Sequence, residues 1–140
     1  MAYLNPGALR SVPGLESATS ANGTARNGAT LALNTVEPGT LSALCAGSID
    51  TSSVAATYKW QVSQDGTTFY DFKSQNNVAN VATASGTGST VAHTFVLDCP
   101  KSVSGWKYAR VVATLAGAAT ASADVTAVTY KYLQIDDILT

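Results

Sequence analysis

The sequence predicts one all-β domain, an antiparallel β-sandwich of about seven strands preceded by an extended N-terminal arm. Short segments rich in Val, Thr and aromatic residues alternate with Gly, Pro, Asp and Ser turn signals from residue 29 onward. No segment repeats its apolar residues with the 3.6-residue period of a helix. The 140 residues match the length of one domain, so we assign residues 29–140 to the sandwich with its C-terminal tail, and residues 1–28 to the arm.

The predicted arm has isolated apolar residues in a background of Pro, Gly, Ser, Ala and Asn, and it shows no regular period. Such a segment is either a disordered tail or an ordered arm that binds a surface. Ordering it would cost about 1–2 kcal/mol of backbone entropy per residue, which buried apolar side chains must offset. We expect an arm that binds a neighbouring molecule, with interface residues Leu4, Leu9, Val12 and Leu15.

Turn signals divide the rest of the chain into seven predicted strands. Thr and Val, which favour strands, are abundant throughout this region. The predicted strands are residues 30–36, 41–49, 55–63, 67–72, 90–97, 106–115 and 123–132.

The hairpin between the third and fourth predicted strands is the clearest local structure. Apolar and polar residues alternate along residues 58–63, which predicts one buried face with Trp60 at the centre of the core. A two-residue Asp-Gly turn would set the Asp71 carboxylate beside this tryptophan. A three-residue loop with Gly66 in the left-handed conformation pairs Trp60 with Tyr70 and turns Asp71 to solvent, so we favour that loop.

The predicted strand 106–115 is apolar on both faces. Because a charged Arg110 is unfavourable in a core, we expect the opposite face to point inward, with Ala109, Val111, Ala113 and Leu115. The outward face then combines an aromatic residue, an arginine and a valine, a composition that suits an interface. Its predicted interface residues are Tyr108, Arg110 and Val112.

The C-terminal tail beyond residue 132 holds more large apolar residues than a free tail needs. Either these residues extend the last strand within the sandwich, or they bind a groove on a neighbouring molecule. Asp136 and Asp137 interrupt the strand pattern where an in-domain strand would continue. We therefore favour the neighbour, with Ile135, Ile138 and Leu139 as predicted interface residues.

Residues suited to catalysis are sparse. The one histidine, His93, shares its strand parity with core-facing residues, which favours a half-buried structural role. With Cys45 and Cys99 it would supply at most three zinc ligands, at a spacing unlike the usual zinc patterns. The aspartates fall in separate loops, without the dense run of a calcium loop. We predict no enzymatic activity, no metal and no cofactor.

Composition favours protein assembly over nucleic-acid or membrane binding. Charged residues make up 12% of the chain, about half of the usual ~25%, and weakly charged surfaces repel one another little. Lys and Arg are scattered without a basic stripe, and no apolar run approaches the ~20 residues of a membrane span. The first residues lack the features of a signal peptide, so we expect cytoplasmic synthesis and free thiols at Cys45 and Cys99.

Two segments of the predicted sandwich are distinctive. They are Tyr-Lys-Trp-Gln-Val-Ser-Gln-Asp-Gly-Thr-Thr-Phe at residues 58–69 and Gly-Trp-Lys-Tyr-Ala-Arg-Val-Val-Ala-Thr at residues 105–114. Together they resemble immunoglobulin-like β-sandwich modules of virion proteins of tailed bacteriophages, over about half of the chain. In this resemblance Trp60 takes the place of the core tryptophan on the third strand. Cys45, Trp60 and Cys99 imitate the Cys…Trp…Cys spacing of antibody domains, but Cys99 precedes the strand that should carry the second cysteine.

The resemblance implies an immunoglobulin-like fold and a structural role in a virion. We expect a capsid decoration or cement subunit, made in the host cytoplasm, that binds and stabilises an assembled phage head through its arm and sandwich surface. Its partners would be the major capsid protein or other virion proteins, together with further copies of the chain. The alternatives are a tail, neck or baseplate subunit, or a carbohydrate-binding module with Trp106 as its aromatic platform.

Overall fold

The structure, a computed structural model, describes residues 9–18, 25–37, 39–49, 55–72, 78–80, 91–99, 105–116 and 125–135. These residues include ten strands and the 3-10 turn Leu33–Thr35. The strands are β1 (Leu9–Ala18), β2 (Ala25–Asn27), β3 (Leu31–Ala32), β4 (Ser42–Ile49), β5 (Ala55–Ser63), β6 (Tyr70–Asp71), β7 (Val78–Asn80), β8 (Val91–Asp98), β9 (Tyr108–Ala116) and β10 (Val125–Leu133).

The strands form two antiparallel sheets packed as an open sandwich, which confirms the predicted all-β class. One sheet has four strands in the order β1-β10-β4-β8. The other has six: β2 and β3 pair with β9, β9 pairs with β5, and β5 pairs with both β6 and β7. In constant-type immunoglobulin domains the last strand lies beside the penultimate one. Here the last strand, β10, lies between β1 and β4, in the other sheet from β9.

Five predicted strands match observed strands to within two residues at each end. These are residues 41–49, 55–63, 90–97, 106–115 and 123–132, which correspond to β4, β5, β8, β9 and β10. The other two predictions are too long, since residues 30–36 contain β3 followed by the 3-10 turn, and residues 67–72 contain the two-residue β6.

The core lies between the two sheets and includes Trp60 at 0% exposure, as predicted. The Trp60 ring stacks on Tyr130 with ring centroids 5.6 Å apart. Its indole N–H donates to the carbonyl of Leu97 at 3.2 Å, so the one polar group of this large side chain has a partner. The predicted inward residues of β9 are all fully buried: Ala109, Val111, Ala113 and Leu115.

Residues 9–18 and 25–28 belong to the sandwich, which corrects the predicted arm for these residues; the rest of residues 1–28 lies outside the described part of the chain. β1 pairs with β10 along most of its length, and β2 pairs with β9. The sequence pattern did not predict β1, because Pro13 and Gly14 interrupt its alternation of apolar and polar residues. The register shifts between Pro13 and Leu15, as in a β-bulge, and β1 is an edge strand, where a proline is tolerated.

Two buried glycines, Gly14 and Gly28, allow the N-terminal segment to approach Tyr130 closely. A Cβ atom at Gly14 would lie 2.9 Å from two ring carbons of Tyr130, and one at Gly28 would collide with the Tyr130 hydroxyl. That hydroxyl donates to the carbonyl of Ala29 at 2.8 Å and accepts from the amide of Val111 at 3.0 Å. The Tyr130 hydroxyl therefore connects β10 by hydrogen bonds to Ala29, next to β2, and to Val111 in the opposite sheet.

The β5–β6 hairpin has a different register from the predicted one. Gly66 has the predicted positive φ, 77°, and Asp71 is exposed as expected. However, Tyr70 pairs with Val62 instead of Trp60, because the connection is longer than the three residues predicted.

The Asp65 side chain explains this longer connection. Its Oδ1 accepts hydrogen bonds from the Ser63 hydroxyl at 3.0 Å and from the amides of Thr67 and Thr68, both at 2.8 Å. A carboxylate that satisfies several loop donors in this way offers the backbone an alternative to strand pairing. The connection therefore extends over six residues, 64–69, before β6 begins.

The beginning of the C-terminal tail pairs within the sandwich, which corrects its assignment to a neighbouring molecule as far as Ile135. Val36 and Gln134 form an antiparallel bridge. The amide of Ile135 donates to the carbonyl of Thr35 at 2.8 Å, and the amide of Glu37 donates to the carbonyl of Leu133 at 2.8 Å. The backbone of residues 133–135 is thus hydrogen-bonded to residues 35–37 of the same domain.

Candidate functional site

Of the predicted interface residues of the two termini, the structure describes Leu9, Val12, Leu15 and Ile135. Leu9 is 71% exposed at the outer end of β1, whereas Val12 and Leu15 are partly buried against the core. Ile135 is 42% exposed. The remaining predicted residues lie outside the described part of the chain: Leu4, Ile138 and Leu139.

The outward face of β9 is less open than predicted. Tyr108 and Arg110 are half-buried, and Val112 is only 2% exposed, so the assignment of Val112 to an accessible interface is corrected. A polar side chain on β5, Gln61, and an aromatic ring in the β5–β6 loop, Phe69, contact the arginine within the domain.

Arg110 belongs to a connected polar network on this face. Its Nε donates to Gln61 Oε1 at 3.0 Å, and its guanidinium lies 3.8 Å from the centroid of the Phe69 ring. The Gln61 amide donates to Asp71 Oδ1 at 2.9 Å, and Lys59 forms an ion pair with Asp71 at 3.0 Å. Desolvation lowers the pKa of Arg110. These partners favour a structural role for the network.

The outer face of the four-stranded sheet has a different character. The strand registers align its outward side chains in rows across β1, β10, β4 and β8. One row is uncharged across all four strands, and the adjacent row is uncharged across three: they are Pro13, Thr129, Leu44 and Val96, and Ala127, Ala46 and Thr94. Charged residues flank these rows: Lys131 and Asp98 lie in the next row, and exposed Glu16 of β1 lies at the register shift beside Ala127.

This face ends at β8, which is an open edge within the described strands. β8 pairs with β4 over all eight of its residues, from Val91 to Asp98. The outward side chain of Val96 is 59% exposed there. An edge strand of this length presents a row of N–H and C=O groups to another strand, and natural proteins usually interrupt such an edge with lysine, proline or a bulge.

A shallow cleft lies at one end of the six-stranded sheet. It has a volume of about 420 Å³ and is lined by Gln64, Asp65, Thr68, Tyr70 and Trp106. The rings of Tyr70 and Trp106 are 6.1 Å apart between centroids and inclined at 45°. Tyr70 is 56% exposed, and Trp106 is half-buried. The sequence pointed to Trp106, but it missed Tyr70 because the predicted hairpin register placed that residue opposite Trp60.

The buried titratable groups are unsuited to nucleophilic chemistry. Cys45 and Cys99 are free, and burial raises the pKa of both thiols to about 12. A thiol needs its thiolate form to react, so both are inert near neutral pH. His93 lies on β8 opposite Gly47. Among the described residues no group of three or more His, Cys, Asp or Glu could hold a metal ion, and no helix is long and apolar enough to cross a membrane.

No protein-family model, curated protein or solved structure matches this chain significantly.

Proposed function

We propose that this protein is a structural subunit of a virion, of the capsid decoration or cement type, that attaches through the outer face and open edge of its four-stranded sheet. The observation that carries the proposal is the combination of uncharged rows with β8, which is an edge among the described strands. The resemblance of residues 58–69 and 105–114 to phage virion modules supplies the biological setting.

The surface chemistry is consistent with a subunit that binds a protein lattice. The uncharged rows lose little hydration energy when they are covered, because they contain no ionised group that must find a partner. An open edge adds directional backbone hydrogen bonds from an incoming strand. With a net charge of −1, neighbouring copies of the chain also repel one another little. We propose the major capsid protein, other virion proteins and further copies of the chain as partners.

A sedimentation experiment with the purified protein tests this function. The protein is mixed separately with assembled heads, with unassembled coat subunits and with isolated tails of the same virus. We expect the protein to sediment with the assembled heads and not to bind the unassembled subunits. Sedimentation with tails alone would favour a tail, neck or baseplate subunit instead. Binding to none of the three would contradict the virion proposal.

Two lysine substitutions locate the attachment surface. Val96→Lys places a charge at the open β8 edge, and Asn27→Lys places the same charge on β2, an exposed edge strand of the other sheet. A lysine on an edge strand discourages pairing with another chain. We expect Val96→Lys to reduce binding to heads and Asn27→Lys to leave it unchanged. The reverse result would place attachment on the six-stranded sheet.

A further inference from the structure

The Tyr70–Trp106 cleft contains two aromatic rings that could contact the same ligand. The rings are close, 6.1 Å between centroids, and they are inclined at 45° and not stacked face to face. The exposure of Tyr70, 56%, is high for a large aromatic side chain. The negative faces of aromatic rings attract groups with partial positive charge, such as polarised C–H bonds.

The polar rim of the cleft consists mainly of fixed acceptors. Asp65 uses Oδ1 for the described loop hydrogen bonds, and these bonds lower its pKa to about 2. Its carboxylate is therefore charged and held in place at neutral pH, with Oδ2 directed to no described partner. The Gln64 amide nitrogen donates to the Gly105 carbonyl at 2.9 Å, which orients the side chain and leaves its carbonyl oxygen as a second acceptor.

Trp106 also lines a second depression. This depression has a volume of about 370 Å³ and is lined by Ala32, Leu33, Asn34, Trp106, Lys107 and Tyr108. Two adjoining depressions that share one ring suit a ligand of several linked units better than a single small molecule. The combined surface is open and shallow, as expected for binding a chain that continues past the site.

We propose that the Tyr70–Trp106 cleft is a binding site for a neutral, pyranose-containing oligosaccharide. A pyranose ring offers C–H groups on its face to the aromatic rings, and its hydroxyl groups donate to Asp65 and Gln64. The Asp65 carboxylate disfavours acidic sugars, because a second anion beside it would be repelled. This site lies on the six-stranded sheet and its loops, so it is separate from the β8 edge and independent of the proposed attachment to a virion.

A proline-rich peptide is the other ligand class that binds aromatic grooves. Its backbone presents mainly carbonyl acceptors, because proline has no amide N–H. Two acceptors on the rim of the cleft, Asp65 and Gln64, would face those carbonyls without a donor between them. The hydroxyl groups of a sugar supply the missing donors, so the saccharide is the better chemical match.

The test uses the full chain labelled with ¹⁵N, titrated with maltotriose, cellotriose and chitotriose as neutral probes. Tri-galacturonic acid is the acidic probe, and decaproline represents the peptide class. We expect saturable shifts of the Trp106 indole N–H resonance with at least one neutral trisaccharide, and weaker or no shifts with the other two probes. Absence of shifts with all three neutral sugars at about 10 mM, a concentration that detects even millimolar dissociation constants, would overturn the proposal. Preferential binding of decaproline or of the acidic sugar would also overturn it.

Two variants separate specific binding from surface association. Tyr70→Ala removes the more exposed ring, and Asp65→Asn removes the charge while retaining the Oδ1 acceptor of the loop. We expect each to weaken the affinity about tenfold, as losing one strong contact does. Asp71→Asn, which changes an exposed carboxylate outside the cleft, should bind like the unmodified protein. Equal affinity of Tyr70→Ala, Asp65→Asn and Asp71→Asn would overturn the site, whatever ligand binds.

Discussion

Tyr130 connects elements that are far apart in the sequence. Its ring packs on Trp60 in the core, and its hydroxyl bonds to Ala29 and to Val111. A buried hydroxyl that both donates and accepts has its hydrogen-bonding capacity used within the fold. Burial is the main reason why the pKa of this phenol is raised, to about 12, so it remains protonated and able to donate at neutral pH.

Tyr130→Phe tests this residue with little change in volume. The substitution leaves the buried amide of Val111 and the carbonyl of Ala29 without the hydroxyl, which costs about 1–3 kcal/mol for an unsatisfied group. We expect the free energy of unfolding, measured with urea, to fall by about that amount. Tyr70→Phe is the matched control, because Tyr70 is 56% exposed, and it should change stability by less than about 0.5 kcal/mol. Equal stability of the two variants would show that the Tyr130 hydroxyl contributes nothing.

Asp65 gives the fold a defined response to acid. Hydrogen bonds from Thr68, Thr67 and Ser63 lower the pKa of Asp65 from 3.8 to about 2 in the folded state. Because the folded-state pKa is the lower one, the stabilisation is complete above pH 3.8 and is lost as the pH falls from there toward 2.

The acid response can be measured with a single substitution. We expect thermal denaturation scans to show that Asp65→Asn reduces the loss of stability between pH 4 and pH 2, a window set by these two pKa values. Asp98→Asn, which changes an exposed carboxylate on β8, serves as the control for a general change in charge. An acid profile of Asp65→Asn identical to that of the unmodified protein would contradict a folded-state pKa near 2.

Strands with strong local patterns could be predicted from the sequence, and strands defined by distant partners could not. β5 was predicted at its observed ends, Ala55–Ser63, because apolar and polar residues alternate along much of it. β1 pairs with β10, at the other end of the chain, and Pro13-Gly14 interrupts its alternation. No local signal indicates that a glycine is needed there to admit the ring of Tyr130. The exposure of Tyr70 could not be predicted either, because it depends on the loop conformation that the Asp65 side chain stabilises.

Deleting β1 and β2 tests whether the N-terminal elements belong to the domain. Removal of residues 1–28 exposes Tyr130 and the edge of β10, and it eliminates the packing of Val12 and Leu15. We expect the melting temperature to fall by about 10 °C or more, since a loss of ~3 kcal/mol has this effect in a domain of this size. Removal of residues 1–8 alone keeps both strands and is the control. An unchanged melting temperature after the longer deletion would restore the interpretation of a separate arm.

The whole molecule combines a closed core with surfaces of unlike chemistry. The six-stranded sheet carries the Arg110 network and the aromatic cleft, whereas the four-stranded sheet carries uncharged rows and an open edge. Under the proposed function, one sheet would bind the lattice and the other would stay accessible. Under the two proposals above, attachment and saccharide binding would occur at the same time and would not compete.

The two buried thiols allow a test of whether the sandwich unfolds as one unit. Cys45 lies on β4, Cys99 follows β8, and both are in the same hydrophobic core, at 0% and 6% exposure. Because burial raises the pKa of both thiols to about 12, the folded protein offers almost no thiolate to iodoacetamide at neutral pH. We therefore expect both cysteines to be labelled only through global unfolding, at equal rates that increase together with urea, as followed by mass spectrometry. Faster labelling of Cys99 than of Cys45 would show that the β8 edge opens separately from the core.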